Sequence, residues 1–255
     1  MRDIQNEIDH RRIEIEKVGV KNLKYPIVLQ DKENVEQHTI ASINMYVNLP
    51  HHFRGTHMSR FIEILNKYRR EIDIHNMGEI MKEMKTNLSA EAAHLEIEFP
   101  YFIEKKAPAS GAKSLMEYAC KFVGELNDKM KILLGVSVPI LTVCPCSKEI
   151  SKYGAHNQRG TINVQLLFKG FIWIEDVVRM VENSASGSIY SLLKREDEKL
   201  VTEKSYENPK FVEDVVRDVA TILNKQVNIL WYKVEVESYE SIHNHDAYAC
   251  VEKKN

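Results

Sequence analysis

The order in which period-two and helical stretches follow one another leaves this chain few folds to choose from. The alternating stretch Gln37 to Asn48, with Ile40, Ser42, Ile43, Met45 and Val47, predicts a strand. Helical spacing follows in Met58 to Arg70 (Phe61, Ile62, Leu65, Tyr68) and in Met77 to Leu88, and Ala93 to Ile103 returns to strand character. The second half has a similar order. Ser114 to Leu126 and Lys129 to Val143 predict a hairpin over Asn127-Asp128, and Gly160 to Leu167 a further strand. Helical patterns then span Trp173 to Asn183 and Pro209 to Leu223, the second with Asn208 placed to cap it. Gln226 to Val236 and Ala247 to Val251 restore strand character. Two similar modules are expected, residues 1–110 with an N-terminal extension and residues 111–255, divided at the loop-like Ala107-Pro108-Ala109-Ser110-Gly111.

A chain of 255 residues, 44% hydrophobic, is long enough to bury a sizeable core, so disordered and collagen-like classes are excluded. Apolar runs fall short of a bilayer span, and the N-terminus is charged where a secretory signal would be hydrophobic, so a cytoplasmic protein without a membrane partner is expected. The four cysteines are Cys120, Cys144, Cys146 and Cys250, and the one close pair is too tightly spaced for a disulfide framework. Metal or redox chemistry is the better reading of that pair. The net charge of -2 supplies no global field to draw nucleic acid, so a polyanionic ligand needs a local basic cluster.

The close pair opens a candidate reaction centre. Cys144-Pro145-Cys146-Ser147-Lys148-Glu149, followed by Gly154-Ala155-His156-Asn157-Gln158-Arg159-Gly160, gathers two thiols, an imidazole and a guanidinium after an apolar run. Thiolate and neutral imidazole suit a borderline-soft divalent ion, and distant residues can complete a site begun on one loop. Two later segments offer donors: the acidic run Glu196-Asp197-Glu198, and Glu240-Ser241-Ile242-His243-Asn244-His245-Asp246. Taken alone, the acidic run reads as a solvated charged turn.

The local basic cluster is Leu49 to Phe61, which carries His51, His52, Arg54, His57 and Arg60 without an acid. Arginine forks bind phosphate bidentately, and amides at the following helix start could add to the grip. The bland alternative is a solvated turn between strand and helix.

Together, Pro50-His51-His52-Phe53-Arg54-Gly55-Thr56-His57-Met58-Ser59-Arg60-Phe61, Cys144-Pro145-Cys146-Ser147, the Gly154 to Gly160 segment and Glu240 to Ala247 resemble the type IB GTP cyclohydrolases. The match is spread over nearly the whole chain. The resemblance implies an α+β tunnelling fold, with tandem modules of antiparallel sheet and a helix pair between the second and third strands of each. It also implies a homotetramer with active sites at subunit interfaces. The activity implied is opening of the GTP imidazole ring, release of formate and closure to 7,8-dihydroneopterin triphosphate, at the entry to folate. Hydrolysis of that ring at neutral pH suits one bound divalent ion, with zinc, manganese and iron all compatible.

On the same resemblance Cys144, His156, Glu198 and His243 surround the ion, with Cys146 and His156 handling protons. Cys146, His245, Glu196 and Asp197 stand as alternative ligands. Glu213 is assigned to the guanine edge, where a carboxylate accepts from the ring N–H and the exocyclic amine, a donor pair adenine cannot present. Arg54, His57, Arg60 and Arg159 are expected on the substrate.

A zinc base deaminase is disfavoured, because Pro145-Cys146 lacks the second cysteine of Pro-Cys-x-x-Cys. A binding-only metalloprotein would have closed coordination and release no formate. Archaeal relatives, which use ferrous iron and yield a cyclic phosphate, carry similar motifs and are the enzymatic alternative.

Overall fold

The computed structural model describes residues 4, 5, 7–68, 72, 74 and 76–253. In chain order the elements are β1 (Ile15–Asp31), β2 (Val35–Leu49), α1 (Met58–Lys67), α2 (Met77–Asn87), β3 (Ala93–Lys106), β4 (Lys113–Leu126) and β5 (Met130–Val143). There follow α3 (Pro145–Ile150), β6 (Asn157–Phe168), α4 (Ile174–Glu182), β7 (Gly187–Ser188), α5 (Arg195–Glu207), α6 (Val212–Asn224), β8 (Ile229–Ser238) and β9 (Ala247–Glu252). The chain forms two compact units, Met1–Pro100 with Lys121–Leu134, and Tyr101–Cys120 with Gly135–Asn255.

In the first unit β1 and β2 form a long antiparallel hairpin, and β2 pairs antiparallel with β3 from Ser42↔Glu98 to Val47↔Ala93. Period two dictates which side chains of β2 are buried: Ala41, Ile43, Met45 and Val47 are almost wholly inaccessible, while Ser42, Asn44 and Tyr46 are only partly covered. Against that unit's core α1 buries Phe61, Ile64 and Leu65, and α2 buries Met77, Ile80, Met81 and Met84. Each such burial contributes about 1.5–3 kcal/mol. Helix α2 lies so close to β4 that a Cβ on Gly124 would stand 2.8 Å from Met81 Cε. The helical reading of Met58 to Arg70 holds through Lys67, and its last two residues lie outside the described residues.

In the second unit the strand order is β3-β4-β5-β6-β8-β9, with β7 paired to β5. The β6–β8 ladder runs from Gly160↔Ser238 to Phe168↔Ile229, and β9 pairs with β8 from Lys233↔Glu252 to Ser238↔Ala247. Ile162, Val164, Leu166, Val234 and Val236 make the buried face. Helix α6 packs on β8, β9 and α4, and places Val215, Val216, Val219 and Leu223 in the core.

Helices therefore stand between β2 and β3 and again between β6 and β8, an antiparallel α+β arrangement. The hairpin predicted over Asn127-Asp128 is the β4–β5 connection. The loop-like Ala107 to Gly111 is the β3–β4 turn, where Gly111 has φ +69 and Ala107 N donates to Ala112 O at 2.8 Å. One helix start differs from expectation. Helix α6 begins at Val212 because Phe211 N is capped by Asp214 Oδ2 at 3.0 Å, whereas the Asn208 amide donates to Ala185 O at 3.0 Å. The acidic Glu196-Asp197-Glu198 run is the first turn of α5, where carboxylates complement the helix dipole. Among the described residues no helix is long and apolar enough to cross a membrane.

Candidate metal centre

Strand β5 ends at Val143, and Cys144 then leaves the strand to cap α3. Its Sγ accepts from Ser147 N at 3.4 Å, and Pro145 takes the first helical position, where a missing N–H costs nothing. The chain turns back through Gly154, whose φ of +146 favours glycine, and enters β6. Two bonds fix the return: Cys144 N donates to His156 O at 3.1 Å, and His156 N donates to Ser147 Oγ at 3.2 Å. The two chemistry-bearing motifs are thus held side by side by their backbones.

His156 is half-buried and points toward the segment that follows β8. That segment is anchored by Tyr239 N, which donates to Arg159 O at 2.9 Å, in continuation of the β6–β8 ladder. Gly160 is needed there, because a Cβ would meet Glu237 O at 2.5 Å. Glu240 follows directly, with Oε2 3.9 Å from His156 Nδ1, and the rings of His243 and His156 are 6.2 Å apart between centroids. His156, Glu240 and His243 offer donor atoms that all lie within 4.8 Å of one another, the group among the described residues suited to a metal ion. Donors on a tetrahedral ion with bonds of about 2.0–2.2 Å stand about 3.3–3.6 Å apart, so side-chain movements of about an ångström would let the group fit. Two imidazoles and a carboxylate suit zinc, manganese and ferrous iron alike.

The polar contacts behind this group come from three strands. Gln158, buried on β6, meets His156 Nδ1 through Oε1 at 2.9 Å, and its Nε2 donates to Glu240 Oε1 and to Thr142 Oγ1, both at 3.2 Å. Thr142 on β5 lies 2.9 Å from Ser238 Oγ on β8.

The structure thus brings His156 and His243 together and adds Glu240 to them. Cys144 stands outside the donor group but is backbone-paired with His156. Glu198 is exposed on the first turn of α5, and Glu213 is exposed on the first turn of α6. Asp197, the residue before Glu198, is fully buried and holds the start of α5 to the β3–β4 turn. Cys146 and Arg159 are exposed, and His245 stacks on His243 with ring centroids 5.2 Å apart. In the first unit Arg54 Nη1 pairs with Glu7 Oε2 at 2.9 Å, and Arg60 Nη1 donates to Asn87 O at 2.7 Å. His57 precedes α1 as its N-cap, without a capping side-chain bond.

Sequence reasoning named Glu240 only as part of its segment and passed over Gln158. Glu240 could have been found from its place three residues before His243, and Gln158 from its place two residues after His156, on the same face of a strand. A cleft of about 590 Å³ opens beside the same loop, lined by Tyr153, Gly154, Ala155, Asn157, Val201 and Tyr206 among others.

Solved structures with a similar fold include a uricase from Bacillus fastidious, at TM-score 0.59 and 8% identity over 93% of this chain and 92% of that one. A uricase from Arthrobacter globiformis aligns at TM-score 0.51 and 9% identity, over 93% and 92% of the two chains. At such identity the likeness concerns the fold alone. Fold and donor group together define an α+β tunnelling-fold protein with a candidate His/Glu metal centre.

The family model described as type I GTP cyclohydrolase folE2 matches residues 1–249. The GTP cyclohydrolase FolE2 of Syntrophus aciditrophicus is 62% identical over 255 residues, all of both chains. That of Geotalea uraniireducens is 59% identical over 253 residues, 99% of this chain and 93% of its own. The chain belongs to the FolE2 family, the type IB GTP cyclohydrolases, metal-dependent hydrolases.

Proposed function

We propose that this protein converts GTP and water to 7,8-dihydroneopterin triphosphate and formate, the first step of tetrahydrofolate biosynthesis. The observation that carries this reading is the His156, Glu240 and His243 donor group in a chain that matches GTP cyclohydrolases over its whole length. In this proposal His156 and His243, with Cys144 and Glu198, hold one divalent ion, and Glu240 stands at the same centre. Zinc, manganese and iron all fit that donor set. When bound, the ion acidifies a water enough for attack on the guanine carbon between the imidazole nitrogens at neutral pH.

The chain's own residues do the rest. His156 and the neighbouring Cys146 move protons at the opening ring. Glu213 accepts from the guanine N–H and exocyclic amine, while Arg54, His57, Arg60 and Arg159 meet the triphosphate. Residues 1–110 and 111–255 serve as the tandem modules of a cytoplasmic homotetramer, and subunit interfaces complete each active site.

The test uses the full-length protein with GTP and added zinc or manganese, measuring formate and the mass of the pterin released. A linear triphosphate with one equivalent of formate is expected, and chelation should stop both. A cyclic phosphate product would replace this reaction with the archaeal type. Absence of formate with every metal tried would reject cyclohydrolase activity.

A further inference from the structure

We infer that Gln158 is a positioning residue: its amide locks His156 in the tautomer with Nδ1 protonated, leaving Nε2 as the free ligand atom. The inference rests on the metal reading above for what Nε2 binds, but its hydrogen-bond logic stands apart from that reading.

The logic begins at Glu240. An ionised carboxylate can only accept hydrogen bonds, so the end of the Gln158 amide lying 3.2 Å from Glu240 Oε1 must be the NH₂. The second proton of that NH₂ has its own acceptor in Thr142 Oγ1, also at 3.2 Å. Thr142 in turn directs its hydroxyl toward Ser238 Oγ at 2.9 Å or the backbone carbonyl of Gln158 at 3.4 Å, so the amide orientation satisfies every group it meets. The reverse orientation would press the amide oxygen against a carboxylate in a site where Gln158 is 8% exposed.

With the NH₂ so placed, the amide oxygen faces His156 Nδ1 at 2.9 Å. That oxygen also only accepts, so Nδ1 must carry the proton, and a neutral imidazole then keeps its lone pair on Nε2. Glu240 cannot take the same role directly, because its Oε2 is 3.9 Å from Nδ1, beyond hydrogen-bond reach. One buried side chain therefore sets both the tautomer of His156 and the place of Glu240. Such supporting contacts raise ligand basicity and hold ring orientation in metal sites.

The deciding experiment reads the tautomer itself. Metal-free wild-type protein labelled with ¹⁵N-histidine is examined by long-range ¹H–¹⁵N correlation at alkaline pH, with His156→Asn used for assignment. His156 should show a protonated Nδ1 and an unprotonated Nε2. Gln158→Met keeps the length but neither accepts strongly nor donates, so it should give a mixture of tautomers and bind zinc about 10–100-fold more weakly. Gln158→Glu keeps the acceptor toward His156 and should retain the Nδ1–H tautomer, while its other oxygen, standing against Glu240, should lower the melting temperature, a pattern that a purely structural role would not produce. A proton on Nε2 in the wild type overturns the inference even if neither variant folds. So does Gln158→Met with unchanged tautomer and unchanged zinc affinity. Wild-type protein with the expected tautomer but no zinc uptake would overturn the metal reading alone.

Discussion

The carboxylate of Asp197 takes two hydrogen bonds from Ser110, from the amide at 2.8 Å and from the hydroxyl at 2.6 Å. Ala109 N adds a third at 2.8 Å and Lys194 N a fourth at 2.9 Å. The β3–β4 turn and the first turn of α5 are thereby one hydrogen-bonded unit, and Glu198 is the next residue along that helix.

Asp197 makes acid stability the first prediction. Burial alone would raise its pKa, but the bonds from Ser110, Lys194 and Ala109 outweigh that and hold it well below the ordinary carboxylate value near 3.8. A depressed folded-state pKa stabilises the fold above the unfolded value, and that contribution is lost as pH falls from about 4 toward the folded value. Asp197→Asn should lower the melting temperature at neutral pH, and the gap from wild type should narrow below about pH 4. Thermal unfolding across this range checks it; parallel curves for the two proteins would remove Asp197 from the linkage.

The metal centre gives the second prediction. Removing an imidazole or thiolate ligand takes away a coordinate bond, so His243→Ala and Cys144→Ala should each weaken zinc binding by more than about 100-fold and abolish formate release. Metal content after dialysis separates the two residues. Full metal and turnover in Cys144→Ala would move the thiolate role to Cys146, whereas loss in His243→Ala alone would leave His156, Glu240 and His243 as the working set.

Much of the fold was legible because burial follows local pattern. Strand β2 alternates cleanly, so Ile43, Met45 and Val47 announced its buried face, and Asn127-Asp128 marked a true hairpin. Strand β1 escaped notice because its register shifts between Ile15/Val18 and Val20/Leu23, which breaks period two, and most of its residues are exposed or half-exposed. Helix α5 escaped because it buries only Asp197 and Ser205, so it has no apolar stripe to betray a helix. At the site, His156 and His243 were named on the family resemblance, and the structure brings their donor atoms together. Glu240 was visible as a donor, but its choice over neighbouring acids needs the turn after β8. Gln158 does not titrate, so its residue type gives no sign; its place two residues after His156 was the one cue, and the three-strand packing shows its contacts.

Base recognition gives the third prediction. Glu213 sits exposed in the first turn of α6, beside Asp214, which is occupied in capping that helix. Glu213→Gln keeps size and helix propensity yet cannot accept both guanine donors. GTP binding should weaken by about 1.5–3 kcal/mol, with metal content and melting temperature unchanged. Unchanged affinity for GTP, read by calorimetry, would return Glu213 to the solvated surface.

The fourth prediction separates the two arginines of the basic segment, because the structure gives them different duties. Arg60 Nη1 donates to Asn87 O at 2.7 Å, at the last residue of α2, so it ties the start of α1 to the end of its neighbour. A cation satisfying a terminal helix carbonyl is worth about 0.3–1 kcal/mol, and Arg60→Ala should lose that from stability with or without ligand, besides the triphosphate contact proposed for it. Arg54 is 56% exposed and pairs with Glu7 at 2.9 Å on the surface, an arrangement of little energetic value in water. Its fork can exchange that carboxylate for a phosphate at small cost. Arg54→Ala should therefore leave the melting temperature within about 2–4 °C of wild type, the most that a surface pair worth at most about 1 kcal/mol can shift it, yet weaken GTP binding by about 1.5–3 kcal/mol. Guanosine, which lacks the tail, should bind both variants as it binds wild type, measured at matched salt. An Arg54→Ala enzyme that holds GTP normally would make this segment a turn, while equal losses on GTP and guanosine would assign Arg54 to the junction before α1.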